Sequence, residues 1–387
     1  MSIAYNKLQV IIDLDAICHN WQLLNQRSGN AIAVVKSDAY GHGLVETSRA
    51  LAEAGATTFA VGTVEEALEL RQSGVLDPAA HRVISLLGPI DDWEYATLAE
   101  HRILPFIGNF AQLSKLAENT ARLDAPLPIS LKFDTGMSRL GFTLETIGQL
   151  LAVLDNAPGL LPVMVSSHLA TGDEPGNTAY VTRQSSDFLD ILTKLSTAGY
   201  RVEANLANSG AILAHPDTHH DSQRAGIAMY GTNPFLGTPW EAKGQGLRQA
   251  MSVSAPVLDV HTLKQGQCVS YGCTYTAPQD MRIAIIGAGY ADCYSRLLTN
   301  HASLCLHGTQ VPIIGRVCMQ MVAVDLRPLD EVGAKQAQVG DSAWLLGGTG
   351  DGYVTADQLA AWWGTITYEV FCLLGMNKKQ FIQGDIS

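Results

Sequence analysis

Ala31-Ile-Ala-Val-Val-Lys36-Ser-Asp-Ala-Tyr40-Gly-His-Gly43 is the stretch on which the reading of the fold turns. Five apolar residues, rich in Val and Ile, read as a strand buried on both faces. A lysine closes the run, a glycine-containing turn follows, and Leu44 to Ala54 reads as a helix. For an isolated lysine after a strand the ordinary reading is solvent exposure. A lysine leaving an apolar core can instead be partly desolvated, which lowers its pKa and frees the amine to attack a carbonyl. The aldehyde of pyridoxal phosphate is the obvious carbonyl of that kind. Tyr40, four residues on, could reach an anionic group of the same cofactor.

Working outward, the same strand–helix alternation repeats. Val83 to Leu87, Ile103 to Ile107, Leu127 to Lys132 and Leu160 to Ser167 read as strands, with Thr57 to Val61 before them and Val202 to Ala207 and Ala225 to Met229 after. Helices are predicted through His19 to Leu24, from Thr63, over Leu144 to Leu154 and over Thr178 to Gly199. Units of roughly 25–30 residues with this alternation are the mark of parallel β/α packing. About eight of them within ~230 residues fit a closed (β/α)8 TIM-like barrel. No G-x-G-x-x-G turn follows the first strand, which disfavours an open dinucleotide-binding sheet.

The pattern changes after Gly231, through a Gly/Pro-rich stretch to Gly246. Met251 to Leu263, Gln267 to Tyr271, Arg282 to Ile286, Ser303 to His307 and Val311 to Leu326 are β-like, and Leu306 to Val311 looks like a hairpin. Only Thr355 to Leu374 reads as helical here. The expected organisation is a barrel over 9–235, a linker over 236–246, and a mainly antiparallel β domain over 1–8 and 247–387.

Composition bounds the function. The chain has 387 residues, is 47% hydrophobic and 16% charged, and carries a net charge of −12. That disfavours nucleic acid or an anionic membrane as the main partner. No apolar run is long enough to span a bilayer, and Met1 to Asn6 lacks a basic region followed by an apolar core, so no export signal is expected. The seven cysteines show no C-x-x-C pair and no zinc spacing. Free, mostly buried thiols in a reducing cytoplasm, and no metal, are the expectation.

Chemistry-bearing residues fall where strands end, as in β/α barrels generally. Leu131-Lys132-Phe-Asp-Thr-Gly-Met-Ser-Arg139 places two cations around a turn. Alone they would be two solvated charges; held close they would repel, so a negative group between them makes physical sense. His168 follows a strand in Ser166-Ser-His-Leu-Ala, where a lone histidine is more often a satisfied core residue. Asn208-Ser209 and Arg224-Ala-Gly226-Ile227 follow the last two barrel strands, where such barrels commonly bind phosphate. The Ser209 hydroxyl and the Gly226 and Ile227 amides are suitable donors. Val269-Ser-Tyr271-Gly lies in the β region, where a tyrosine usually serves packing.

Together these strings resemble the alanine racemase family. V-V-K-S-D-A-Y-G-H-G is similar to the family's lysine motif, with Ser37 a small departure. K-F-D-T-G-M-S-R-L-G-F, S-S-H-L-A, R-A-G-I-x-x-Y-G (Ala225 in place of proline) and V-S-Y-G match further family strings. So do Gly289-Tyr290-Ala-Asp-Cys293, Gly315-Arg-Val-Cys-Met319-Gln320 and Thr367-Tyr368-Glu369, with Cys293 replacing a glycine and Gln320 an aspartate. The resemblance implies a cofactor held as a Schiff base on Lys36. It implies a carbamylated Lys132 holding Arg139, and Arg139 facing the cofactor's phenolic oxygen and the substrate carboxylate. It implies Tyr40 and Tyr368 on the phosphate, His168 bonded to the catalytic Tyr271, and Arg224 on the pyridine nitrogen. An arginine there is a permanent cation that keeps its proton, so the ring nitrogen stays unprotonated. Met319 would offer its amide to the substrate carboxylate, and Tyr290 would line the entryway.

The activity implied by the resemblance is L-/D-alanine interconversion, supplying D-alanine for peptidoglycan. Two bases on opposite faces of the substrate, Lys36 and Tyr271, exchange its α-proton. In the family the tyrosine arrives from a second subunit, so the resemblance implies a homodimer. The alternatives are a racemase of wider scope, acting on serine or lysine, and a non-catalytic cofactor-binding protein, against which the β domain with Tyr271 speaks.

Overall fold

A computed structural model describes residues 7–120 and 125–384. The outer ends of the expected β domain, 1–6 and 385–387, lie outside the described residues. Contacts divide the chain into two units, one of 17–39 and 44–248, the other containing 7–16, 40–43 and 249–384.

The first unit is the expected barrel. Its strands are Ala31–Val34, Thr58–Val61, Arg82–Ser85, Ile103–Ile107, Leu127–Lys132, Leu160–Ser166, Glu203–Asn205 and Gln223–Ala225. They pair in chain order and in parallel, and Gln223–Ala225 returns to Ala31–Val34 in the register Ala31↔Gln223. A bridge from Asn205 to Ser222 closes the ring. Ala31–Val34 and Thr58–Val61 are buried along their whole length. That burial is why these strands read as unbroken apolar runs rather than as alternations. The helices that escape the sequence reading include Asp92–Glu100, Phe110–Thr120 and Ser209–Ala214. Phe110–Thr120 buries only Leu113, Leu116 and Thr120, so its apolar stripe is thin.

The second unit is antiparallel β. Met251–Leu263 pairs with Met281–Ile286, with Ser342–Leu346 and with Gln9–Asp13. Through Val322–Asp325, Thr309–Ile314 and Ser303–Leu306 the ladder returns to Ser342–Leu346, closing a ring of six strands. Gln9–Asp13 therefore belongs with this unit, whereas the sequence reading put the boundary before residue 9. Residues 236–246 pack with the barrel unit. The Ser303–Leu306/Thr309–Ile314 hairpin turns through His307 (φ 48°) and Gly308 (φ 79°), a two-residue turn with both central residues left-handed. The β-like run 311–326 is interrupted: Gly315 takes φ 72°, and Gly315 to Met321 leaves the sheet. A Cβ at Gly315 would lie 2.7 Å from the Val269 carbonyl oxygen, so no larger residue fits. Two helices close this unit, Ala356–Trp363 and Thr367–Leu374, separated by Gly364 at φ 76°.

Candidate active site

Lys36 follows the first barrel strand, whose direction Val35 continues by donating to the Ala60 carbonyl (2.8 Å). The chain then does something the sequence does not announce. Ser37, Asp38, Ala39 and Tyr40 all sit at φ between 53° and 55°, a turn of left-handed helix without a glycine among them. Each such L-residue costs about 1–2 kcal/mol relative to the right-handed form. The turn is fastened at several points. The Ala39 amide donates to Val35 O (2.9 Å), the Leu44 amide to Asp38 Oδ1 (2.7 Å) and the Ser37 amide to Glu66 Oε1 (2.5 Å). Behind it, the Tyr230 hydroxyl donates to the Val34 carbonyl (2.9 Å), tying the last barrel strand's loop to the lysine strand.

Lys132 ends its strand with Nζ donating to the Phe133 carbonyl (2.7 Å). Its amine is pushed down from 10.5 to about 7, first by desolvation, then by the Arg224 and Arg139 charges, with Asp134 opposing. Gly141, just after Arg139, brings the chain back at φ 133°; a Cβ there would meet the Phe133 carbonyl carbon at 2.5 Å. Arg139 itself is exposed.

Arg224 is buried, and one guanidinium nitrogen, Nη2, faces three acceptors: Ser167 O (2.5 Å), Leu206 O (3.3 Å) and His168 Nδ1 (3.2 Å). A guanidinium has no lone pair to give, so His168 Nδ1 accepts and the proton of the neutral ring sits on Nε2. The imidazole pKa lies well below the usual value, through desolvation and then through the charges of Arg224, Lys132, Arg139 and Lys36. Those four cations gather at one mouth of the barrel, in a chain of net charge −12. That is a site for anionic groups.

The phosphate-binding candidates lie beside Arg224. Asn208 caps the helix Ser209–Ala214: its Oδ1 accepts from the Ala211 amide (3.1 Å) and its Nδ2 donates to Leu169 O (3.2 Å). The Ser209 hydroxyl oxygen accepts from the Gly226 amide (2.9 Å) and the Ala228 amide (3.3 Å). Ile227 begins the short 3-10 turn that follows.

The second unit carries the remaining candidates. The Tyr40 and Tyr368 rings meet at 5.9 Å. Tyr290 and Met319 are joined through backbone bonds, Tyr290 N–H to Cys318 O (3.1 Å) and Ala291 N–H to Met319 O (2.9 Å). Gly289 permits this approach, since a Cβ would come within 2.2 Å of Cys318 O. Tyr271 sits at the tip of the Cys268–Val269/Tyr275–Thr276 hairpin, 71% exposed. The hairpin rests by Val269 and Tyr275 on an apolar cluster of Leu263, Met281, Ile283 and Ile314, and Ser270 Oγ donates to Arg316 O (2.6 Å).

Two findings depart from the sequence reading. Cys268 and Cys273 are joined in a disulfide across the Tyr271 turn, with Cα atoms 5.1 Å apart, so these two exposed cysteines are not free buried thiols. Their spacing of five residues becomes a bridge only because the turn folds back, which no C-x-x-C search detects. Glu66 lies in the helix predicted from Thr63 and is not among the sequence-predicted site residues. It completes the Thr63 capping box and also reaches the backbone after Lys36.

Comparison with known proteins identifies the family. Residues 12–234 match the alanine racemase N-terminal domain and residues 250–382 its C-terminal domain. An alanine racemase of Nitratidesulfovibrio vulgaris (strain Miyazaki F) is 47% identical over 379 residues, covering 98% of this chain and 99% of the relative. One from Lawsonia intracellularis is 36% identical, covering 95% of each. Among solved structures, the alanine racemase of D-cycloserine-producing Streptomyces lavendulae superimposes with a TM-score of 0.88 at 33% identity, covering 98% of each chain. That of Bartonella henselae, with covalently bound pyridoxal phosphate, gives 0.86 at 28% identity, covering 97% of this chain and 99% of that one. The chain belongs to the alanine racemase family.

Proposed function

We propose that this chain interconverts L- and D-alanine with pyridoxal phosphate as cofactor, Lys36 and Tyr271 carrying the proton on opposite faces of the substrate. The observation that carries the reading is the cation mouth of the barrel, where Lys36, Lys132, Arg139 and Arg224 surround a neutral His168. A phosphate-bearing cofactor and an amino-acid carboxylate are the anions such a mouth suits. Bound there, pyridoxal phosphate supplies an electrophilic aldehyde and a conjugated ring that accepts the electrons of the α-C–H bond.

The chain's own groups then divide the work. Lys36 offers its amine at the end of a rigid strand and serves as proton carrier on one face. Tyr40, Tyr368, Asn208, Ser209, Gly226 and Ile227 hold the phosphate. Arg224 donates a hydrogen bond without giving up its proton, which limits the electron sink and favours simple proton return. Arg139 and the Met319 amide orient the carboxylate, and Tyr290 lines the way in. Lys132, half neutral at pH 7, captures carbon dioxide: the amine nitrogen bonds the carbon, one proton leaves, and the carbamate anion so formed on Lys132 faces the Arg139 guanidinium. His168 keeps its proton on Nε2 and offers it to the Tyr271 phenolate. The exposure of Tyr271, Met319 (57%) and Tyr290 (44%) supports a homodimer in which a second copy completes the site. Among the described residues no helix is long and apolar enough to cross a membrane; a cytoplasmic location is part of the proposal and rests on the family resemblance.

The test is loss of optical rotation by L-alanine and by D-alanine, with cofactor, in the wild type and two variants. Lys36→Ala abolishes both directions. Tyr271→Phe removes the carrier serving L-alanine and leaves proton exchange at the D-face. Equal, undiminished rates in both directions for Tyr271→Phe would overturn the two-base assignment.

A further inference from the structure

Glu66 makes more contacts than a helix cap needs. It opens the helix Val64–Ser73 as the N3 member of the capping box with Thr63. Its Oε2 accepts from the Gly62 amide (2.7 Å) and the Thr63 amide (3.2 Å), while its own amide donates to Thr63 Oγ1 (3.3 Å). That accounts for one carboxylate oxygen. The other, Oε1, accepts from the Ser37 amide at 2.5 Å, the peptide that joins Lys36 to the left-handed turn. Gly62 lets the carboxylate come this close, for a Cβ there would stand 3.0 Å from Oε2 and 3.7 Å from the Lys36 Cβ.

We propose that Glu66 is a positioning residue for Lys36, holding the strained turn that aims the lysine amine; the inference rests on the role of Lys36 proposed above. Ser37 to Tyr40 occupy backbone angles that relax toward the ordinary right-handed region once their fastenings go. One fastening beside Lys36 is the Ser37–Glu66 bond, and it depends on a group that accepts on both ends. A carboxylate does so. An amide cannot: either its NH2 points at the Ser37 N–H, or it points at the Gly62 and Thr63 N–H groups. Glu66→Gln is therefore a sharp perturbation although it preserves size.

Capping and positioning separate by comparing Glu66→Gln with Thr63→Ala, which removes the cap acceptor and leaves Ser37 alone. Three quantities are read in each: the melting temperature of the cofactor-free protein, the rate at which borohydride traps pyridoxal phosphate on Lys36, measured by mass spectrometry of the lysine peptide, and kcat and KM for L-alanine. Thr63→Ala is expected to melt earlier but trap at the wild-type rate. Glu66→Gln is expected to trap at least tenfold more slowly and to lose at least tenfold in kcat, with KM changed less than kcat. Wild-type trapping in Glu66→Gln, with only an earlier melt, reduces Glu66 to a cap and overturns the inference. Should that variant not fold, Glu66→Asp, one methylene short of spanning both sites, is held to the same comparison. A wild type in which cofactor is trapped at some other lysine would instead remove the assignment of Lys36, and the inference with it.

Discussion

Lys132 offers the most quantitative test. Its amine pKa stands at about 7 in place of 10.5. At pH 7.5 roughly three-quarters of such amines are neutral, against roughly 0.1% of ordinary lysines, a difference approaching a thousandfold in the form that reacts with carbon dioxide. The sign of the stability effect comes from the same shift. The folded-state pKa lies below the unfolded one, so folding carries its full electrostatic cost below pH 7, where both states are protonated. That cost is relieved as pH rises from 7 toward 10.5, where the folded lysine is already neutral. The shift corresponds to a ceiling of about 5 kcal/mol, from which the lost bond to Phe133 O subtracts about 1 kcal/mol. Lys132→Met in carbon-dioxide-free buffer is thus expected to raise the stability of the cofactor-free protein at pH 6 by a few kcal/mol, with the gain shrinking toward pH 10. In the wild type, labelled bicarbonate should give a carbamate carbon signal at pH 8 that is lost below pH 7, and Lys132→Met should lack it. Racemisation should weaken in depleted buffer and return with bicarbonate. A Lys132→Met variant less stable at every pH, or a fully active wild type without carbamate signal at pH 8, would refute the carbamate assignment.

The remaining predictions concern the scaffold. Protein unfolded without reductant should titrate with five thiols and reduced, unfolded protein with seven, because Cys268 and Cys273 are bridged. Opening so short a loop by Cys273→Ser costs about 2 kcal/mol of stability in denaturant unfolding; an unchanged midpoint would deny the bridge any part in holding the hairpin. Tyr230→Phe leaves the buried Val34 carbonyl short of a donor next to Lys36 and should cost about 1–3 kcal/mol in the same measurement. A neutral result there would mean that another donor replaces the hydroxyl.

The barrel was legible because its strands are short apolar runs separated by polar helices, and parallel burial on both faces writes that pattern directly into the sequence. The strand-end positions of Lys36, Lys132, His168 and Arg224 came with it. The Gln9–Asp13 strand misled, since an apolar strand carries no mark of which sheet it will join; its partner, Met251–Leu263, lies far along the chain. The left-handed turn was invisible because Ser37, Asp38, Ala39 and Tyr40 are held there by Glu66 and Asp38 contacts rather than by glycine. Asn208 and Ser209 were seen as ligand donors, whereas part of their bonding serves the chain itself, as helix cap and as acceptor for Gly226. A donor-rich string does not say how many of its donors the fold has already used.

Under the proposed two-base exchange, the barrel's own groups bear on where the second proton carrier comes from. Two-face proton exchange needs one group on each side of the α-carbon, and in the proposal Lys36 supplies one. Arg139 and Arg224 keep their protons at any working pH and cannot act as bases. His168 has its Nδ1 turned to Arg224 and a pKa driven well below the ordinary value by desolvation and four neighbouring cations, so it holds a proton too weakly to carry one. Lys132, with its pKa lowered to about 7, is a basic amine at the same mouth, and the proposed carbamate would remove it from contention. In the proposal that role therefore goes to the phenol of Tyr271, which stands on an exposed and covalently braced turn of the other unit. The carbamate experiment and the tyrosine substitution therefore bear on one question. If Lys132 stayed a free amine and Tyr271→Phe kept full activity in both directions, Lys132 would be the second carrier.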